Sequence, residues 1–442
     1  MDPFKAISQF LGIQDVRFKD IRIYQKSRHI AVIGDFEAQE YFCRHCGESL
    51  GEIHDWQNRQ LQLPPLGVFE KVSLSLYVPR GWCGGCERNS QALVEWIHPK
   101  FESVTCGFAE VAGRVMEETT CEATSRLMHA NSRKLWGIDQ YRMQLMLERL
   151  KLPDNLDISF LSADEVHFRT KRFGKNRAIA QARWEALFIT NLVSYKDAKV
   201  LFNAPGRTSE ALDQCFAVLS PGQKMAVEMI AVDMHDAFIK SAINNLPNAE
   251  VCVDRFHLAQ QVNKSFDEVR RAELKRAQEN KDFFETNMLS PSRKFILIER
   301  RKDLTKHEIK WLEKLRFFNT RIHNGMLLVE SFHLMLDHKT VPKFRKALTD
   351  WLLLVRESKL KPFRKLAALI RRYRHNIEAY IKSRLTTAVS EGLNNKIKIL
   401  KRVGCGYTNE RSFQNKILQR CGYLNHHYIN TDDFFYRLPN PK

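Results

Sequence analysis

No stretch of this chain stays apolar for long. Runs such as Trp351-Leu352-Leu353-Leu354-Val355 fall far short of the roughly 20 residues that cross a bilayer as a helix. Residues 1–14 carry Asp2 and lack the basic-then-apolar order of a secretory leader, so an intracellular, cytoplasmic protein without a membrane partner is expected. Acid is also in short supply, with 51 Asp and Glu against 70 Lys and Arg, leaving a formal charge of +19. That excess selects polyanionic partners, and with the membrane set aside the partner is nucleic acid. Glycine is nearly missing from residues 223–403, where only Gly325 and Gly392 occur, so most of that region reads as helix. Internal repeats and low-complexity linkers are lacking too. What remains is 442 residues with 44% hydrophobic and 10% aromatic content, enough apolar material for two or three packed domains.

Ten cysteines in an intracellular chain do not make a disulfide framework. Four of them form two pairs, Cys43-Arg44-His45-Cys46 and Cys83-Gly84-Gly85-Cys86. The other six, at 106, 121, 215, 252, 405 and 421, are scattered. A two-residue spacer lets both sulfurs of a pair face one ion, and Gly47, Gly84 and Gly85 supply the tight turns. Residues 1–100 therefore read as a zinc ribbon holding one Zn²⁺ on Cys43, Cys46, Cys83 and Cys86. With four protein ligands the ion has no open position, so its role is structural. His45 and His54 are alternative ligands, ranked below the thiolates because four sulfurs suffice.

The segment Lys71 to Val78 alternates polar and apolar with period two, the pattern of a half-buried strand. Residues 101–150 read as helices over 107–118, 121–129 and onward from Ser132. This is a helix-turn-helix arrangement in which Arg133, Lys134, Arg142 and Arg149 offer DNA contacts. An ordinary helical linker with a solvated basic face would carry the same charges. From Asp157 to Phe256, strands are expected at 158–168, 185–195, 199–204, 226–233 and 250–254, with helices near 208–219 and 236–245. The fold class is multi-domain α/β.

Three carboxylate settings stand out. Asp164 and Glu165 interrupt a strand otherwise built for a core, where buried acids must pair or bind a cation. Asp233 ends the apolar run Met229-Ile230-Ala231-Val232, although an Asp there also serves as a helix cap. Glu391 opens a helix on which Asn395, Lys398 and Arg402 share its face. The order and settings are those of the RNase H-like polynucleotidyl transferases, where acids hold two Mg²⁺ (or Mn²⁺) about 4 Å apart.

Here the sequence resembles the ISL-three family of insertion-sequence transposases, from the cysteine pairs through Phe413. The most specific matches are Leu246-Pro247-Asn248-Ala249, Val253-Asp254-Arg255-Phe256-His257 and Glu391-Gly392-Leu393-Asn394-Asn395-Lys396-Ile397-Lys398. Arg44 and Phe238 depart from the family pattern without touching the acids. The resemblance implies a catalytic, metal-binding triad of Asp164, Asp233 and Glu391. It also implies an RNase H-like domain from 151–257 plus 381–442, interrupted by a helical insertion at 258–380. Glu165 stands as the alternative to Asp164, since strand neighbours point oppositely. Asp254 and His257 either join the site or form a core pair.

The expected activity is DNA transposition: recognition of terminal inverted repeats, phosphodiester hydrolysis, then attack of the freed 3′-hydroxyl on target DNA by a working homodimer on double-stranded DNA. A zinc-ribbon regulator without catalysis and an RNase H-fold nuclease without strand transfer are the rivals. Between Val341 and Arg402 seventeen Lys or Arg face four acids. Arg371, Arg372, Arg374, Asn395, Lys398 and Arg402 are expected along the DNA path.

Overall fold

The computed structural model describes residue 8 and residues 13–153, 156–173, 183–291 and 305–429. Residues 1–7 and 9–12, residues 292–304 of the expected insertion and residues 154–155, 174–182 and 430–442 of the expected catalytic domain lie outside the described residues. The chain divides into two compact units, 1–154 with 399–442 and 155–398. Among the described residues no helix is long and apolar enough to cross a membrane.

The first unit is built on strands β1 (Val16–Tyr24), β2 (His29–Phe36), β3 (Leu50–Leu63), β4 (Lys71–Cys83) and β5 (Arg88–Gln91). They form one sheet in the order β1-β2-β4-β3, with β5 also on β4. The alternation read from the sequence points Val72, Leu74, Leu76 and Val78 of β4 into the core. Three helices follow: α1 (Cys106–Glu118), α2 (Cys121–Met128) and α3 (Ser132–Arg149). Thr105, Thr120 and Asn131 cap their N-termini with side-chain acceptors, which is why the connections can be so short.

The second unit opens with β6 (Phe160–Phe173), β7 (Arg183–Ser194) and β8 (Lys199–Pro205). Next come α4 (Ser209–Phe216), α5 (Pro221–Ala226), β9 (Met229–Val232), α6 (Asp236–Asn245) and β10 (Glu250–Val253). The sheet order is β10-β9-β6-β7-β8. Strands β6, β7 and β8 run antiparallel in sequence, whereas β9 pairs parallel with β6 and β10 parallel with β9. Helices then follow one another: α7 (Arg255–Glu279), α8 (Phe283–Met288), α9 (Lys306–Phe318), α10 (Thr320–Asp337), α11 (Val341–Ser358), α12 (Lys361–Arg372), α13 (Arg374–Ser383) and α14 (Ala388–Val403).

One expected boundary moves. The C-terminal region from residue 399 belongs with the first unit instead of the unit carrying the β6 sheet. Its helix α15 (Glu410–Cys421) is held there by charge. Lys416 Nζ donates to Asp139 Oδ2 at 3.0 Å and to the Met116 carbonyl at 2.8 Å.

Candidate functional site

The four paired cysteines converge. Gly47, at φ 77°, turns the first pair, and its N–H donates to the Cys43 carbonyl at 2.9 Å. The second pair sits where β4 turns into β5. The four sulfurs lie within 4.8 Å of one another, with Cys43 to Cys86 at 3.9 Å and Cys46 to Cys83 at 3.4 Å. A tetrahedral zinc with bonds near 2.3 Å spaces its sulfurs about 3.8 Å apart, so the donor set fits that ion. Burial raises the Cys43 thiol, but the Ser90 hydroxyl and the amides of Cys46 and His45 outweigh it and bring the thiol down to about 6. The cluster contains no histidine, leaving His45 and His54 outside it.

In the helical segment Arg133 is exposed at the start of α3, and Lys134 Nζ lies 3.0 Å from Ser103 Oγ. Arg142 is different and corrects the sequence expectation. Its side chain is wholly buried, 2.5 Å from Glu117 and 3.2 Å from Glu110, so it holds α3 to α1 and meets no DNA. Its ring of acids keeps it charged despite burial.

The carboxylates gather at one edge of the second unit's sheet. In the parallel β6–β9 pairing Phe160 faces Met229 and Ser162 faces Ala231. Two residues further on, that register sets Asp164 beside Asp233. Asp254 follows β10 in the same way, its N–H donating to the Val232 carbonyl at 3.2 Å. Asp233 and Asp254 thus directly follow the C-terminal ends of β9 and β10, while Asp164 lies within β6, two residues past the end of its parallel pairing with β9. All three sit at the end of the parallel strands where open α/β sheets place their ligands.

Helix α14 is pinned across this edge by residues 387, 390 and 394. The Thr387 N–H donates to Asp254 Oδ1 at 3.2 Å, Ser390 and Ser162 share a hydrogen bond of 2.5 Å, and Asn394 Nδ2 donates to Asp164 Oδ2 at 2.8 Å. Ser390, Leu393, Asn394 and Ile397 are buried, while Glu391, Asn395, Lys398 and Arg402 form the exposed face. The side chain against Asp164 is therefore Asn394, with Glu391 one turn earlier facing outward. Polar residues on the apolar side of an amphipathic helix were the available signal for Ser390 and Asn394.

The alternation at 164–165 separates the two acids. Asp164 takes Asn394, while Glu165 meets Arg207, whose Nε lies 2.7 Å from Glu165 Oε1 and whose Nη2 donates to Asp233 Oδ2 at 3.2 Å. Arg207 lies in the loop after β8, and sequence patterning offered no sign of it. On the other side of Asp233, His257 Nδ1 lies 3.7 Å from Asp233 Oδ1 and 3.3 Å from Asp254 Oδ2. Burial raises Asp164 above the usual carboxylate range and pushes Glu165 up to about 7. Burial also opposes charge on Asp254, but His257 and the Thr387 groups more than offset it and hold that acid low. His257, desolvated yet ringed by Asp254, Asp233 and Asp164, rises to about 8. Among the described residues, only the four cysteines bring three or more ligand atoms within 4.8 Å of one another. The acids converge on the sheet edge without reaching the spacing of a single-ion site.

Of the basic residues expected along DNA, Arg371, Lys398 and Arg402 are exposed. Arg372 pairs with Asp236, Arg374 reaches Glu378 at 2.7 Å, and Lys398 lies 3.4 Å from Asn395 Oδ1.

The family model for ISL3 transposases, described as Transposase, matches residues 162–417, more than half of the chain and all of the elements that carry these acids. The chain belongs to the ISL3 transposase family. It is similar to the transposase for insertion sequence element IS1001 of Bordetella parapertussis, 23% identical over 382 residues, 86% of this chain and 88% of that one. It is also similar to the transposase for IS1557 of Mycobacterium tuberculosis, 22% identical over 244 residues, 51% of this chain and 54% of that one. Among solved structures, the Drosophila P element transposase strand transfer complex aligns with a TM-score of 0.36 and 11% identity, over 75% of this chain and 93% of that chain. The function of this insertion-sequence transposase is DNA transposition.

Proposed function

We propose that the second unit is an RNase H-like catalytic domain whose Asp164, Asp233 and Glu391 bind divalent cations, Mg²⁺ or Mn²⁺, for cleavage at the ends of the element and for strand transfer. The observation that carries this reading is the parallel register that sets Asp164 beside Asp233, with the Glu391 helix tied to the same strand through Ser390 and Asn394. Hard carboxylate oxygens suit these ions, and each acid retains acceptor capacity beyond its hydrogen bonds. When bound, such ions polarise the phosphoryl oxygens and stabilise the attacking and leaving oxygens.

The protein's own groups orient that chemistry. Asn394 and the Glu165 amide, which donates to Asp164 Oδ1 at 2.8 Å, fix the Asp164 carboxylate. The Met234 amide fixes Asp233 at 2.6 Å. Asp254 anchors the start of α14 through Thr387 and keeps His257 charged beside Asp233. In the first unit, the cysteine cluster takes one structural Zn²⁺, and the sheet and three helices bind the terminal inverted repeats, with Arg133 and Lys134 at the start of α3 in reach of DNA. In this reading the exposed Arg371, Lys398 and Arg402 meet phosphates, which give affinity without sequence information. Two element ends imply a homodimer in the working complex.

Cleavage assays on element-end DNA test this directly. Asp164→Asn, Asp233→Asn and Glu391→Gln should each lower the Mg²⁺-dependent cleavage rate on the order of a thousandfold or more while DNA binding persists. Cleavage by any of the three at close to the wild-type rate removes that residue from the site.

A further inference from the structure

Among the described residues, Arg207 is the one cation that touches the acid cluster from outside the expected motifs. Its backbone is fixed: the Gly206 N–H donates to the Phe188 carbonyl at 2.7 Å, and Thr190 Oγ1 donates to the Gly206 carbonyl at 2.8 Å. Gly206 sits at φ 104°, where only glycine is relaxed. From this turn the side chain crosses the Phe188 ring, with the guanidinium 5.7 Å from its centroid, and ends between Glu165 and Asp233. The Arg207 side chain is 38% exposed, whereas those of Glu165 and Asp233 are 12% and 15% exposed. Glu165 Oε2 is buried without a hydrogen-bond partner.

Four carboxylates, at 164, 165, 233 and 254, meet here, and among the described residues Arg207 and His257 are the positive charges that contact them. Neighbouring acids repel in a partly desolvated site, so a cation among them offsets that repulsion when no metal is bound. Arg207 is the more accessible of the two at Asp233, and it takes the oxygen that does not face His257. A guanidinium on a long, partly solvated stem can leave by rotamer change alone, because its backbone turn is held independently.

We propose that Arg207 is a built-in stand-in for a divalent cation: it neutralises Glu165 and Asp233 in the metal-free transposase and yields Asp233 Oδ2 when an ion binds. This rests on the metal-site reading of Asp164 and Asp233. Arg207 therefore competes with the ion for Asp233 and weakens metal binding. Glu165 is the docking point that keeps Arg207 poised in the cleft.

Mn²⁺ titration of the zinc-loaded full-length protein, read as free Mn²⁺ by electron paramagnetic resonance, tests this without measuring turnover. Arg207→Gln should bind Mn²⁺ about three- to tenfold tighter than wild type. Arg207→Lys, which keeps the charge, should stay near wild type. Lys240→Gln makes the same change in net charge on the exposed face of α6 and should have no effect. Asp233→Asn should weaken binding. If Asp233→Asn weakens binding but Arg207→Gln is unchanged or weaker, the stand-in role is overturned and the metal site survives. Equal tightening in Lys240→Gln also overturns it, since net charge alone would then explain the gain. If Asp233→Asn binds as wild type does, the metal site itself falls and the inference with it. Arg207→Lys and thermal melts of each variant separate loss of charge from loss of fold.

Discussion

Each unit of this transposase buries a cluster of charge, and the two clusters are finished differently. In the first unit Arg142, wholly buried, lies between Glu110 and Glu117. The His426 N–H and ring close on Glu117, and Arg420 bonds the Glu117 carbonyl. Gly113 makes room for the guanidinium stem, because a Cβ there would lie 2.3 Å from Arg142 Cδ. In the second unit, among the described residues, Asp164, Glu165, Asp233 and Asp254 share the partly accessible Arg207 and His257, and atoms of Glu165, Asp254 and His257 are left without hydrogen bonds. A closed network fixes helices against one another. An open one spends stability at a place that accepts something from outside.

That contrast predicts opposite consequences for removing one charge. The largest effect belongs to the open cluster and is purely functional. Asp164→Asn or Asp233→Asn should cut cleavage by about a thousandfold or more, yet leave the melting temperature of metal-free protein unchanged or raised, because a repelling charge is gone. A large drop in melting temperature would mean the acids are structural and would erase the contrast. In the closed cluster the order reverses. Arg142→Ala should destabilise the first unit by roughly 3–5 kcal/mol, as expected when one member of a buried pair is deleted. Denaturant melts followed by limited proteolysis would detect it, and Gly113→Ala should act in the same direction by displacing the Arg142 stem.

A smaller effect tests an ion pair of intermediate exposure. Glu378 accepts from Arg345 and Arg374 at 2.7–2.9 Å. The Arg345 hydrogen bond leads in bringing it down to about 2 from 4.5, against the opposing cost of burial and with Arg374 adding to the drop. A depressed carboxylate stabilises the fold above its unfolded value and loses that contribution as pH falls from about 4.5 toward 2. Both arginines are about half exposed, so solvent screens the pair and the gain is small. Glu378→Gln should melt a few degrees below wild type at pH 7, and the gap should shrink by pH 3. The smallest effect is expected on the exposed face of α14. Lys398→Ala and Arg402→Ala should each reduce the salt slope of end binding by roughly 1 and leave sequence preference intact. An unchanged slope would put the phosphate contacts elsewhere.

Much of this molecule was written in local pattern. Helix α6 occupies the expected 236–245, α1 begins one residue before the expected 107, and all five strands of the second sheet lie within a few residues of their expected places. Periodicity and capping residues act between near neighbours, so one sequence suffices to read them. The cysteine cluster was equally legible, because a two-residue spacer constrains each pair before any tertiary fold exists. Arg142, by contrast, looked like its exposed neighbours Arg133 and Arg149, since the acids that bury it lie 25 and 32 residues away. Asn394 meets Asp164 across 230 residues, and Arg207 reaches Asp233 only because the β6-β7-β8 meander brings the loop after β8 back to the β6–β9 edge. Residue types and short spacings determined which elements form and which acids to suspect. The packing of distant elements decided which charges are sealed, which stay open, and which cation stands among the carboxylates, because those outcomes depend on neighbours that no local pattern encodes.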